Sequence, residues 1–202
     1  MSKPRLVIGI TGGISTGKST FANRLRDRLG ARLFNADHAA RRLADEDAEA
    51  RLLLREEFGR EIFSATGDLN RAALRAIVFA NQGKKRALEQ ILHPRIRRQW
   101  ATEAETSRQT GKIFLADIPL LYETEGETLC DRVVVVACSR EIQLQRLIAR
   151  PAINRADALA MIASQMSLSE KILRADHLVW NNGPLVNLEA QAEIFARFLT
   201  SS

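Results

Sequence analysis

Residues Gly12-Gly13-Ile14-Ser15-Thr16-Gly17-Lys18-Ser19 run glycine, four residues, glycine, lysine, serine. This spacing dictates backbone shape as well as chemistry. The β-branched run Arg5–Ile10 before it reads as a strand. Lys18–Leu29 after it reads as a helix with Phe21, Leu25 and Leu29 on one face. A glycine-rich turn at a helix N-terminus wraps successive N–H groups around a phosphate, and the helix dipole adds positive potential there. Lys18 can then reach the β- and γ-phosphates of a nucleotide, and the Ser19 hydroxyl can ligate Mg²⁺. The competing reading is a turn that merely joins strand to helix. Agreement at every fixed position, in the required strand-to-helix context, argues against it.

The rest of the chain alternates in the same way. Arg32–Phe34, Lys112–Ala116, Arg132–Ala137 and His177–Trp180 read as strands. Asp37–Leu54, Glu141–Ala149, Arg155–Gln165 and Val186–Leu199 read as helices. Apolar strands alternating with helices imply an α/β fold, a five-stranded parallel sheet with helices on both faces. From Arg55 to Thr110 no strand is expected, and Leu69–Gln90 and Pro94–Ser107 read as helices. We expect residues 1–202 to form a single unit. Within it, 1–54 and 111–202 make the core, 55–110 a helical insertion and 141–165 a lid.

Lys and Arg total 30 against 24 Asp and Glu, a formal charge of +6 that suits anionic partners. It does not single out nucleic acid. The basic residues form no run of five or six, and one Tyr and two Trp are poor material for base stacking. No apolar stretch is long enough to span a bilayer. The N-terminus lacks a secretory pattern, since glycines arrive by Gly9 with no apolar stretch before them. Cys130 and Cys138 offer neither a disulfide framework nor metal spacing, and both are expected to be reduced and buried in a cytoplasmic protein. No nucleic-acid or membrane partner is expected, and the chain is expected to be a monomer or small homo-oligomer.

Two acids follow expected strands: Asp37 after Phe34-Asn35-Ala36, and Asp117 after Phe114-Leu115-Ala116. Strand carboxyl ends face the ligand crevice in parallel sheets, which puts both near a γ-phosphate. One could orient or deprotonate an acceptor hydroxyl, and one could hold Mg²⁺ through water. Helix capping is the alternative for either. Arg146 and Arg150 are four apart and share a helix face. Such arginines stabilise charge developing on a transferring phosphoryl group, in a lid that closes over ATP. Arg140 reads as a solvated basic residue.

Taken together, these motifs resemble the dephospho-CoA kinase family. Thr11 through Ser19 is similar to its N-terminal motif, and Asn35-Ala36-Asp37 with Arg41 to its acidic motif. Gly67-Asp68-Leu69-Asn70-Arg71, Leu74, Phe79 and Leu92-His93-Pro94 resemble its helical acceptor domain. Asp117-Ile118-Pro119-Leu120-Leu121-Tyr122-Glu123 resembles its D-x-P-L-L-F-E element. Gln143, Arg146 and Arg150 are similar to its lid motif, and Gln165, Lys171, Ala175-Asp176 and Asn181-Asn182-Gly183 to its C-terminal pattern.

The resemblance implies a three-layer P-loop fold with a helical CoA subdomain and a lid. It implies transfer of the γ-phosphoryl of ATP to the ribose 3′-hydroxyl of dephospho-CoA, the last step of coenzyme A biosynthesis, with Mg²⁺ as cofactor. In that scheme Asp37, Lys18, Arg146 and Arg150 are catalytic. Gly12, Gly13, Ile14, Ser15, Thr16, Gly17, Lys18, Ser19, Thr20 and Asn181 bind ATP. Thr11, Asp37, Arg41, His93, Pro119 and Leu120 bind the acceptor, and Ser19 and Asp117 serve the metal.

The chain departs from the family pattern at four places. Ser15 stands where glycine is usual, which strains any φ > 0 there. Asn35 replaces the first acid of the usual Asp-Ala-Asp. Pro151-Ala152 follows Arg150 where Asp is frequent, and Met161 stands where Arg is common. Two other readings share the loop: a kinase for another small acceptor, such as a nucleoside or a shikimate-like alcohol, and a nucleotide-binding regulator without transfer activity.

Overall fold

The computed structural model describes residues 6–151 and 153–201. Arg5, which opens the first expected strand, and Ala152, one of the departures after Arg150, lie outside the described residues. The chain divides into two compact units, Met1–Asn35 with Thr102–Ser202, and Ala36–Ala101.

The first unit is built on five parallel strands: β1 (Val7–Gly12), β2 (Arg32–Asn35), β3 (Phe114–Asp117), β4 (Arg132–Ala137) and β5 (His177–Trp180). Their spatial order is β2-β3-β1-β4-β5. The chain leaves β1 in one direction for β2 and β3 and in the other for β4 and β5. The carboxyl end of β1 is therefore the topological switch point where ligands of such sheets bind. The central strands are buried along nearly their whole length, as expected of a sheet covered on both faces.

Helix α1 (Lys18–Leu29) covers one face. Its Phe21, Ala22 and Leu25 pack with Ile8, Ile10, Leu115, Val134 and Val136 of the sheet. Leu188, Ala192, Phe195, Ala196 and Leu199 complete that core. They come from the C-terminal helix Leu185–Ser201. Apolar area removed from water here is the main source of stability. Ion pairs joining the two helices at the surface, Arg24–Glu189 and Arg28–Glu193, add little by comparison.

The second unit is helical. It holds α2 (Ala36–Glu46), α3 (Ala48–Phe58), α4 (Arg71–Ala80) and the first part of α5 (Gln82–Gln109). Ala44, Leu54, Phe58, Ile62, Leu69 and Leu74 form its core. This explains why the unit starts at Ala36, earlier than the expected residue 55: α2 and α3 carry half of that core. The chain returns to the sheet unit at Thr102, ahead of the expected 111.

Side-chain caps account for three boundaries that periodicity alone misses. The expected helix over 37–54 is interrupted because the Asp47 carboxylate accepts from Ala50 N and starts α3. Asn70 starts α4 in the same way. Asn81 ends α4 and its Oδ1 accepts from Lys84 N, which begins α5. Pro94, expected to open a helix, instead lies inside α5. A proline there lacks the N–H that the preceding turn requires. Nearby, Arg95 Nη1 donates to the Ile91 carbonyl at 2.9 Å.

The remaining helices belong to the first unit: α6 (Arg140–Ile148), α7 (Arg155–Ala163), α8 (Leu168–Leu173) and α9 (Leu185–Ser201). The short α8 was not expected from periodicity, yet Ser167 and Glu170 form a capping box at its start. Cys138 is buried as expected, but Cys130 is only half-buried. Both are free thiols, and burial pushes that of Cys130 up to about 12. No described helix is long and apolar enough to cross a membrane.

Candidate active site

The loop between β1 and α1 is shaped by what surrounds it. A Cβ on Gly12 would lie 2.1 Å from the Val136 carbonyl oxygen, so β4 leaves room only for glycine. Gly17, with φ +91°, would drive a Cβ to 2.3 Å from Asn181 Nδ2. Between them Ser15 takes φ 59°, the left-handed conformation that its side chain strains. Its Oγ is buried and has no hydrogen-bond partner among the described residues. Such a conformation costs a non-glycine residue roughly 1–2 kcal/mol.

Lys18 opens α1 and is buried, ion-paired with Asp117 at the end of β3. Register explains why the ends of β2 and β3 bring Asn35 beside Asp117. Asn35 and Asp117 are paired across β2 and β3, and Ile10 and Asp117 across β3 and β1. Asn35 Nδ2 consequently donates to Asp117 Oδ2 at 2.8 Å. The amide that replaces the family's acid thus supplies a donor to a fully buried carboxylate, where a second carboxylate would repel it. Ser19 and Thr20 are exposed at the first turn of α1.

The outer side of the loop is held by three elements. Gln143 of α6 donates to the Ile14 carbonyl at 2.8 Å, and Gln165 after α7 accepts from Ile14 N at 2.9 Å. Arg146 reaches the carbonyls of Ser15 and Thr16 at 3.4 and 3.5 Å and that of Asn181 at 3.0 Å. Asn181 Nδ2 donates to the Thr16 carbonyl at 2.8 Å. Arg146, expected to stabilise charge on a transferring phosphoryl group, is engaged here with the loop backbone. Arg150 is exposed near the end of the same helix.

A second network lies beyond β3. The Pro119 carbonyl accepts from Thr11 Oγ1 at 3.1 Å and from Lys171 Nζ at 2.7 Å. Lys171 is fully buried and paired with Glu123 at 2.9 Å. Burial lowers its pKa, the Glu123 carboxylate opposes that, and nearby Lys18 adds to it. Leu120 is half-buried beside Pro119. The structural use of Gln143, Gln165, Lys171 and Glu123 was not legible from residue pattern. The signal available was polar residues on elements flanking the loop, which fold only to burial once the sheet order is known.

Asp37, Arg41 and His93 belong to the helical unit. Asp37 is exposed in the first turn of α2, which begins at Ala36, so it is not the residue preceding the helix. Arg41 is exposed one turn further on. His93 is half-buried, and burial lowers its pKa while Glu89 opposes the shift.

A phosphate loop whose lysine is set against a strand-end carboxylate, at the switch point of a parallel sheet, is the working end of a P-loop phosphotransferase. Comparison narrows that class. The family model for dephospho-CoA kinase matches residues 6–187. A dephospho-CoA kinase of Anaeromyxobacter dehalogenans is 43% identical over 93% of this chain and 89% of its own. One of Bacillus licheniformis is 41% identical over 92% of each chain. The solved dephospho-CoA kinase of Campylobacter jejuni is 25% identical with a TM-score of 0.73, covering 96% of this chain and 97% of its own. The chain belongs to the dephospho-CoA kinase family.

Proposed function

We propose that the chain phosphorylates the ribose 3′-hydroxyl of dephospho-CoA with ATP, giving coenzyme A and ADP as the last step of that biosynthesis. The observation that carries this reading is the buried Lys18–Asp117 pair beneath the phosphate loop, in a chain of this family. The 3′-oxygen attacks the γ-phosphorus in line. The new O–P bond forms as the bond from γ-phosphorus to the β,γ-bridging oxygen breaks, and ADP leaves. Asp37 accepts the hydroxyl proton. The loop Gly12–Ser19, through N–H groups other than the one Ile14 gives to Gln165, binds the β- and γ-phosphates together with Lys18, and Thr20 and Asn181 complete the ATP site. Arg146 and Arg150 stabilise charge on the transferring group, from a lid over 141–165.

Thr11, Arg41, His93, Pro119 and Leu120 bind dephospho-CoA, with residues 36–101 as the acceptor subdomain. The donor set also fits Mg²⁺. No group of three or more His, Cys, Asp or Glu that could hold a metal occurs among the described residues. Mg²⁺ in such enzymes takes only one or two protein ligands beside phosphate oxygens and waters. The Ser19 hydroxyl would ligate it and Asp117 would hold it through water. When bound, it would neutralise charge on the β- and γ-phosphates. Two free thiols agree with a cytoplasmic setting. A monomer or small homo-oligomer acting on ATP and dephospho-CoA suffices.

ADP release measured against a panel of acceptors tests the reading. Dephospho-CoA should raise release well above the ATP-only background, while shikimate and nucleosides should not. Equal stimulation by another alcohol, or none by dephospho-CoA, would overturn it.

A further inference from the structure

We infer that Gln143 and Gln165 are positioning residues for nucleotide binding, and that they act through Ile14 to hold the strained turn at Ser15. The inference rests on the reading above only in that the loop binds a nucleotide phosphate.

In a trans peptide the C=O of one residue and the N–H of the next point in opposite directions. Gln143 Nε2 fixes the Ile14 carbonyl at 2.8 Å, which turns the Ser15 N–H away from α6. Asn181 Nδ2 fixes the Thr16 carbonyl at 2.8 Å and turns the Gly17 N–H away in the same manner. Gln165 Oε1 takes the Ile14 N–H at 2.9 Å, so both backbone polar groups of Ile14 are tied to side chains from outside the loop. The next residue is Ser15 at φ 59°. Its Oγ, buried and unpartnered among the described residues, does nothing to offset the strain. Strain of this kind persists only where the surroundings over-determine it. Here they do: Ile14 is held on one side, and on the other Arg146 and Asn181 hold Thr16. Gln143 itself is 4% exposed, and a buried amide is retained only when its hydrogen bonds are made.

Phosphate binding by a loop of this type depends on N–H groups already pointing inward, because turning them during binding costs affinity. Loosening Ile14 should therefore weaken nucleotide binding while leaving acceptor binding alone. Gln143→Met and Gln165→Met keep length and volume but remove the hydrogen bonds. The second position is only half-buried and tolerates the change even if the first does not fold.

The test is titration of each variant with ADP, alongside its melting curve and its KM values. Each single variant should bind ADP about tenfold more weakly, the scale of one well-formed hydrogen bond. KM for ATP should rise while KM for dephospho-CoA stays within about twofold. Adding Ser15→Gly, which removes the left-handed strain, should restore a large part of the lost affinity. ADP affinity within about twofold of the parent in both single variants would overturn the inference. Weakening that Ser15→Gly leaves untouched would also overturn it, because the glutamines would then act by another route, such as direct phosphate contact. ADP titration needs no acceptor, so the result stands whichever alcohol is phosphorylated. Failure of dephospho-CoA as a substrate would touch only the functional reading.

Discussion

Lys18→Ala is expected to lower kcat/KM by a hundredfold or more, an effect of about 3 kcal/mol or more for loss of a positive charge aimed at the transferring phosphate. The structure adds a second consequence. Lys18 is buried against Asp117, whose carboxylate would then keep, among the described residues, the amide of Asn35 as its side-chain partner. Breaking one side of a buried ion pair costs roughly 3–5 kcal/mol because it strands the other charge. The single variant should therefore melt well below the parent, and its inactivity alone would prove little. Lys18→Met with Asp117→Asn removes both charges at once. That double variant should recover much of the melting temperature and remain inactive. Recovery of half the parental turnover would show that neither group is needed for transfer.

Asp37→Asn is expected to lower kcat by about 10²- to 10⁴-fold, the range for loss of a positioned general base. Asp37 lies in the first turn of α2 and is exposed. Its charge interacts favourably with the helix N-terminus, so its removal should cost about 0.3–1 kcal/mol of stability, a shift of a few degrees. Affinity for ATP should be unchanged. Asparagine keeps the shape and hydrogen-bonding reach of aspartate but takes no proton at neutral pH. A folded variant with near-normal kcat would return Asp37 to a structural role and leave Asp117 as the acid to test.

The phosphate loop, helix α1, and strands β4 and β5 were legible to the residue, because a fixed motif or an uninterrupted apolar run specifies them locally. The helical region was less legible. Its breaks at Asp47 and Asn81 depend on one side chain each capping a helix, and Pro94 continues a helix that its residue type argues against. The site divides the same way. Lys18 and Asp117 could be named from sequence because motif and strand end fix them. That Asn35 donates to Asp117 follows from the register of β2 on β3, which no short segment encodes. The glutamines on Ile14 and the buried Lys171 join segments far apart in the chain, and only the assembled sheet brings them to the loop. The sequence left open whether Ser15, standing where glycine is usual, would take the strained left-handed conformation or reshape the loop, and Ser15 takes it at φ 59°.

The central claim is that the chain moves the γ-phosphoryl of ATP onto one particular oxygen of dephospho-CoA. Phosphorus NMR of the product from a reaction with dephospho-CoA, ATP and Mg²⁺ tests it most directly. One new phosphomonoester signal is expected, coupled to the ribose 3′-proton and formed in equal amount with ADP. A signal coupled to the 2′-proton, or ADP formed with inorganic phosphate and no new ester, would contradict it.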